Sequence, residues 1–140
     1  MNDRSARTVG EAMTRGLVTV RASALLHEAA QLMDAHRVHG LPVVDGDGNV
    51  VGVLSQTDLL RVRSIEHVWL GLRGLAVRHV MTVPAITVAA DATLDEAAER
   101  MEENRIHRLV VVGPDGTTPV GMLSVTDIVH VMAGEGATAR

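Results

Sequence analysis

The chain has 140 residues, 46% hydrophobic and 21% charged, with a net charge of −4, enough for one compact domain or two small units sharing a core. All 13 basic residues are arginine and there is no cysteine, which excludes Schiff-base lysines, a Walker-type lysine, disulfides, thiol catalysis and thiolate metal sites. With no Phe or Tyr, only Trp69, and an acidic balance, neither a base-stacking platform nor a field drawing the chain to nucleic acid or an anionic membrane is expected.

The start, Met1-Asn2-Asp3-Arg4-Ser5, leads into no apolar stretch of signal-peptide type, and the longest apolar runs are strand-sized. A soluble, cytoplasmic protein without a membrane partner is the expectation. Writing residues 13–49 over 81–117, then 50–62 over 119–131, aligns 50 positions, of which 25 are identical. The chain is a duplication, and the one extra residue falls in a turn beside Gly116-Thr117-Thr118.

Each copy opens on a lead-in, Val9 to Met13 and Val77 to Met81, whose apolar spacing suits one helical turn. A brief strand follows, Leu17 to Val20 and Ala85 to Val88. Ser23 and Asp91 stand where helix N-caps belong. Leu26, Ala29, Ala30 and Met33 then mark one helix face, as do Leu94, Ala97, Ala98 and Met101. The strands Leu41 to Val44 and Leu109 to Val112 run into turns rich in Asp and Gly. The next strands, Val50 to Leu54 and Val120 to Leu123, lead to helices beginning near Ser55 and Ser124. Each copy therefore reads β-α-β-β-α, an α+β unit too small to be robust alone, and two copies packed face to face would share a core.

Residues 63–76 join the copies. Val68, Trp69, Leu70, Leu72 and Leu75 make this segment either a packed linker or an apolar patch for self-association. The acidic run Asp95, Glu96, Glu99, Glu102 and Glu103 is either a solvated helix face or a docking surface.

The chemistry concentrates at the strand-to-helix junctions, Gly52-Val53-Leu54-Ser55-Gln56-Thr57-Asp58 and Gly121-Met122-Leu123-Ser124-Val125-Thr126-Asp127. Ser-x-x-Asp makes a capping box. A helix N-terminus at the end of a strand also offers N–H donors to an anion, and an Asp there can take both hydroxyls of a ribose. His36 and His39 lack the spacing or partners of a metal site, and no strained nucleophile turn exists. Neither a catalytic residue nor a metal is expected.

The V-x-x-x-M-T lead-in, the H-x-L-[PV]-V-V strand and the G-h-L-S-x-T-D-h ending, each present twice, resemble the CBS domain over roughly residues 8–132. Two in tandem resemble the pair called a Bateman module. The resemblance implies two CBS repeats, residues 8–62 and 77–132, packed as a pseudo-two-fold pair, with 63–76 as linker and 133–140 as a flexible tail. It implies a stand-alone regulatory or energy-sensing module that is not an enzyme, forms a homodimer, needs no cofactor and signals to an unknown effector protein.

Adenosyl ligands (AMP, ADP, ATP, S-adenosylmethionine or NAD) would lie in clefts between the repeats. By the same resemblance Asp58 and Asp127 hold ribose, while Ser55, Thr57, Ser124 and Thr126 touch ribose or phosphate. Val18 and Ile86 read the adenine edge by backbone, with Thr14 and Thr82 at the pocket rim. Arg105-Ile106-His107-Arg108-Leu109 is similar to a phosphate-contacting segment of nucleotide-sensing members, implicating His107 and Arg108. The first copy has His39-Gly40 there, so the clefts are expected to be inequivalent, with a charged nucleotide near Arg108. Val110 in place of Pro42 is expected to reshape one cleft. The alternative is a dimerisation or interaction scaffold whose Ser-x-x-Asp boxes are only caps.

Overall fold

The computed structural model describes residues 7–63 and 74–138; Val68, Trp69, Leu70 and Leu72 of the joining segment lie outside the described residues. The elements are α1 (Val9–Ala12), β1 (Val20–Arg21), α2 (Leu26–His36), β2 (Gly40–Val44), β3 (Val50–Ser55) and α3 (Gln56–Arg63). A 3-10 turn (Val77–His79), β4 (Thr87–Ala89), α4 (Leu94–Asn104), β5 (Arg108–Val112), β6 (Pro119–Ser124) and α5 (Val125–Thr138) follow. Among the described residues there are two three-stranded sheets, ordered β1-β2-β3 and β4-β5-β6. In each, the first pair is parallel and the second antiparallel. Both hairpins carry a register shift at the same place, after Val43 and after Val111. Five residues separate β2 from β3 and six separate β5 from β6, so the extra residue does fall in the turn.

The two cores match position by position. One gathers Val20, Leu26, Ala29, Met33, Leu41, Val43, Leu54 and Val77; the other gathers Val88, Leu94, Ala97, Met101, Leu109, Val111, Leu123 and Val9. The predicted helix faces are those that are buried, with Ala30 and Ala98 at their margins. Leu41, Val43 and Val44 in β2 and Leu109 to Val112 in β5 are branched aliphatic, and both strands are buried on both faces apart from Arg108, the first residue of β5.

The sequence repeats and the compact units differ in one respect. One unit comprises residues 18–85; the other comprises residues 1–17 with 86–140. Val9 thus completes the core of the second repeat, and Val77 that of the first. Val9 N–H donates to Ala92 O (2.9 Å) and Gly10 N–H to Ala90 O (2.8 Å). Val77 N–H donates to Ala24 O (2.8 Å) and Arg78 N–H to Ala22 O (2.9 Å). Each lead-in is exchanged.

That exchange corrects the expected caps. Ser23 and Asp91 are not N-caps, because residues 22–24 and their counterparts 90–92 are taken up in pairing with the lead-ins. The caps fall two residues later, at Leu25 and Thr93. Thr93 Oγ1 accepts from Glu96 N–H (3.1 Å), and Glu28 reaches back to the Leu25 N–H (3.1 Å). Two further expectations shift. The strand expected over Leu17 to Val20 shortens to Val20–Arg21, since only Val20 and Arg21 find partners, Val43 and Val44. The tail expected over 133–140 is helical through Thr138, with no proline to stop α5.

In the β5–β6 turn, Asp115 accepts from the Thr117 and Thr118 N–H groups (both 2.9 Å) and from the Thr118 hydroxyl. These bonds, the Thr118 hydroxyl foremost, favour the charged carboxylate and lower its pKa to about 2. Because the folded value is depressed, the turn's contribution is present above the unfolded pKa near 3.8 and is lost as pH falls through about 2. Thr118→Val is expected to raise the Asp115 pKa toward the ordinary range, as read by a carboxyl NMR titration.

Candidate functional site

Each sheet ends in the same junction, where its last strand passes directly into a helix. At the first, the Ser55 N–H donates to Asp58 Oδ2 (2.9 Å) and the Asp58 N–H donates to Ser55 Oγ (3.2 Å). At the second, the Ser124 N–H donates to Asp127 Oδ2 (2.9 Å) and the Asp127 N–H to Ser124 Oγ (3.1 Å). Both are reciprocal capping boxes, so the plain structural role of Ser-x-x-Asp is present twice. The preceding backbone is tied in as well. His39 O accepts from the Gln56 N–H (3.1 Å) and His107 O from the Val125 N–H (2.9 Å).

The carboxylates do more than cap. Thr82 Oγ1 donates to Asp58 Oδ1 and Oδ2 at 3.2 and 3.4 Å. Thr14 Oγ1 donates to Asp127 Oδ1 and Oδ2 at 3.3 and 3.4 Å, across 113 residues of chain. Each exchanged lead-in therefore sets a hydroxyl on the other repeat's aspartate. Backbone pairing holds it there: the Val53 and Thr82 N–H groups donate to each other's carbonyls at 3.0 and 2.9 Å. Thr14 and Met122 do the same at 2.9 and 3.4 Å.

Glycine makes this approach possible. A Cβ on Gly52 would stand 2.9 Å from both Met81 Sδ and Thr82 O; one on Gly121 would stand 2.6 Å from Met13 Sδ and 3.0 Å from Thr14 O. A methionine tip can move aside, but a paired backbone carbonyl cannot. The duplication flagged both glycines, which are identical in the two copies, without revealing what lies against them.

The predicted site residues divide between the two units. One holds Thr14, Ser124, Thr126 and Asp127, with Arg108 directly across the strand pair from Ser124. The other holds Thr82, Ser55, Thr57 and Asp58, with Gly40 across from Ser55. Thr57 and Thr126 are exposed on the first turns of their helices. Arg108 is half-buried and His107 exposed. His39 lines a shallow cavity of about 270 Å3 with Asp34, Arg37 and Gln56, which does not take in Ser55, Asp58 or Thr82. Ile86 O accepts from the Val110 N–H (3.2 Å), a bond Pro42 cannot offer Val18 because it has no N–H. The Pro42/Val110 difference thus acts through the backbone of the expected adenine-reading segment.

Two more differences were not anticipated. Asp58 is 2% exposed and Asp127 only partly buried, and Arg61 Nη1 lies 3.5 Å from Asp58 Oδ1. The second copy has His130 at the position of Arg61. Among the described residues, no group of three or more His, Cys, Asp or Glu side chains is placed to hold a metal ion, and no helix is long and apolar enough to cross a membrane.

A family model described as CBS domain matches residues 9–65 and 77–134. The chain belongs to the CBS-domain family. It is 30% identical over 118 residues to an inosine-5'-monophosphate dehydrogenase of Methanocaldococcus jannaschii, covering 84% of this chain and 22% of that protein. The enzyme thus extends far beyond the matched CBS region. CBSX2 in complex with AMP is similar at 30% identity, with a TM-score of 0.77, covering 93% of this chain and 98% of that one. The CBS pair of protein MJ0100, in complex with 5-methylthioadenosine and S-adenosyl-L-methionine, is similar at 25% identity with a TM-score of 0.79, covering 93% and 98%.

Gly121→Ala is expected to destabilise the chain by about 1–3 kcal/mol by forcing the lead-in off β6. Gly46→Ala, with no atom within 4 Å of its Cβ, is expected to be close to neutral. Urea unfolding of both variants checks the pair.

Proposed function

We propose that the chain is a regulatory module that binds an adenosyl nucleotide and passes its presence to an effector protein. The observation that carries this reading is the matched pair of aspartates, each at a helix N-terminus and each ringed by a serine N–H and a threonine hydroxyl. A carboxylate so placed can accept both hydroxyls of a ribose, and the adjoining helix end favours phosphate. The AMP bound by CBSX2, and the S-adenosyl-L-methionine and 5-methylthioadenosine bound by the MJ0100 pair, support the adenosyl class.

In this reading Asp58 and Asp127 take ribose; Ser55, Thr57, Ser124 and Thr126 reach ribose or phosphate; Thr14 and Thr82 form the rim. Val18 and Ile86 meet the adenine edge, and His39 and His107 flank the phosphates. Arg108 supplies a fork of donors to phosphate that Gly40 cannot, so the two copies differ in their preference for charge. The nucleotide acts as a regulatory ligand, not as a catalytic cofactor. Ligand binding favours one arrangement of the chain over another, and the effector responds to that shift.

A second reading, a homodimerising scaffold, draws on Val125, Val129 and Met132, which stand 40, 54 and 63% exposed along one stripe of α5. Both readings accommodate a homodimer; they separate on whether nucleotide binds.

A thermal-shift panel with AMP, ADP, ATP, S-adenosylmethionine, NAD and a GTP control discriminates them. A ligand at roughly a hundred times its Kd adds about 2.7 kcal/mol of stability. Selective stabilisation by one adenosyl compound is the expected result, and a flat panel on folded, ligand-stripped protein would leave the scaffold reading ahead. Asp127→Ala is expected to weaken that binding at a stability cost of about 1 kcal/mol from the damaged cap. Arg108→Gly is expected to reduce the preference for di- or triphosphate over adenosine, as ranked by calorimetry.

A further inference from the structure

The two aspartates sit in the same motif but not in the same state. Asp58 is 2% exposed, and its carboxylate accepts from the Ser55 N–H, the Thr82 hydroxyl and the Arg61 guanidinium. A buried carboxylate is tolerated only when its acceptor positions are filled, and here the tip of Arg61, a side chain itself 73% exposed, lies 3.5 Å from it on the solvent side. Asp127 has the same serine and threonine partners, is only partly buried, and has His130 where the first copy has Arg61. Arg108, whose guanidinium can donate hydrogen bonds to a phosphate, stands opposite Ser124 beside Asp127, whereas Gly40 stands opposite Ser55 beside Asp58. Burial, the change from Arg61 to His130 and the change from Gly40 to Arg108 all divide the junctions in the same sense.

We infer that only the Asp127 junction takes a nucleotide, and that Arg61 is a positioning residue that keeps Asp58 closed as a structural tie. This rests on the adenosyl-binding reading and narrows it: the Asp58 junction, with Ser55 and Thr57, is withdrawn from ligand contact, and the Asp127 junction keeps it. To admit a ribose diol, Asp58 must give up donors that satisfy it in a buried place. Asp127, only partly buried, makes the same exchange with water nearer at hand. The threonine bonds are alike at the two junctions, 3.3 and 3.4 Å from Thr14 and 3.2 and 3.4 Å from Thr82, so cover and charge alone divide them. The duplication has thus kept one junction as a receptor and turned its twin into a fastening.

Two measurements on the full chain test this, one without ligand. Carbodiimide coupling to glycine ethyl ester, read by mass spectrometry, is expected to label Asp127 and spare Asp58. Arg61→His, which copies the second repeat, is expected to raise Asp58 labelling several-fold, and Arg61→Lys to preserve its protection. Equal labelling of the two aspartates in the parent would overturn the closure, and unchanged Asp58 labelling in Arg61→His would overturn the role of Arg61. In calorimetry with AMP and ATP, one ligand per chain is expected. Asp127→Asn should lose about tenfold or more in affinity, while Asp58→Asn should stay within about threefold. Two equal sites per chain, or loss on Asp58→Asn alone, would overturn the assignment. Normal labelling contrast with no binding of either nucleotide would leave Asp58 closed and remove the nucleotide reading itself.

Discussion

Thr14 and Met122 exchange backbone hydrogen bonds in both directions, as do Val53 and Thr82. Much of the architecture depends on these two short pairings. They seat each lead-in along the last strand of the other repeat, bring Val9 and Val77 into cores built otherwise from the opposite copy, and fix a threonine over each aspartate. They also demand a residue without a Cβ at positions 52 and 121, since the lead-in carbonyl would lie within 3.0 Å of one. The exchange gives a small repeat its completed core: without Val9 or Val77, the helix and sheet of either copy would lack one fully buried residue.

That constraint links fold to function. A capping box alone would satisfy the helix and leave the outer lone pairs of the aspartate to water. The threonine hydroxyl, delivered by a segment more than a hundred residues away in one case and 24 in the other, turns each cap into a ring of donors around a carboxylate. At Asp127 such a ring can trade one hydroxyl for another, which is what the proposed recognition of a ribose requires. In the proposed function it is also the route from ligand to chain, since the aspartate is bonded to the lead-in and the lead-in carries a core residue. A ligand that binds one arrangement better shifts the population toward it by its differential affinity.

Much of this was legible in the sequence, for identifiable reasons. Half-identity between the copies revealed the duplication, and i, i+3, i+4, i+7 spacing located the buried faces of α2 and α4. The Ser-x-x-Asp boxes carried their own geometry. The exchange of lead-ins was hidden because duplicated copies offer the same apolar partners: Val9 could pack against either repeat without altering any local pattern. The caps at Ser23 and Asp91 failed for the same cause, since their segment is taken up by a lead-in that local propensity does not see. Nor could spacing show that Asp58 is buried and Asp127 less so, because the difference lies in tertiary cover and in the change from Arg61 to His130.

Backbone NMR of the chain titrated with AMP tests the nucleotide-binding ring most directly. Thr14 and the run Met122 to Asp127 are expected to shift together and saturate with one binding curve, although most of the chain separates them in sequence. Saturating AMP that leaves Thr14, Ser124 and Asp127 unmoved, in protein that gives the spectrum of a folded chain, would contradict it.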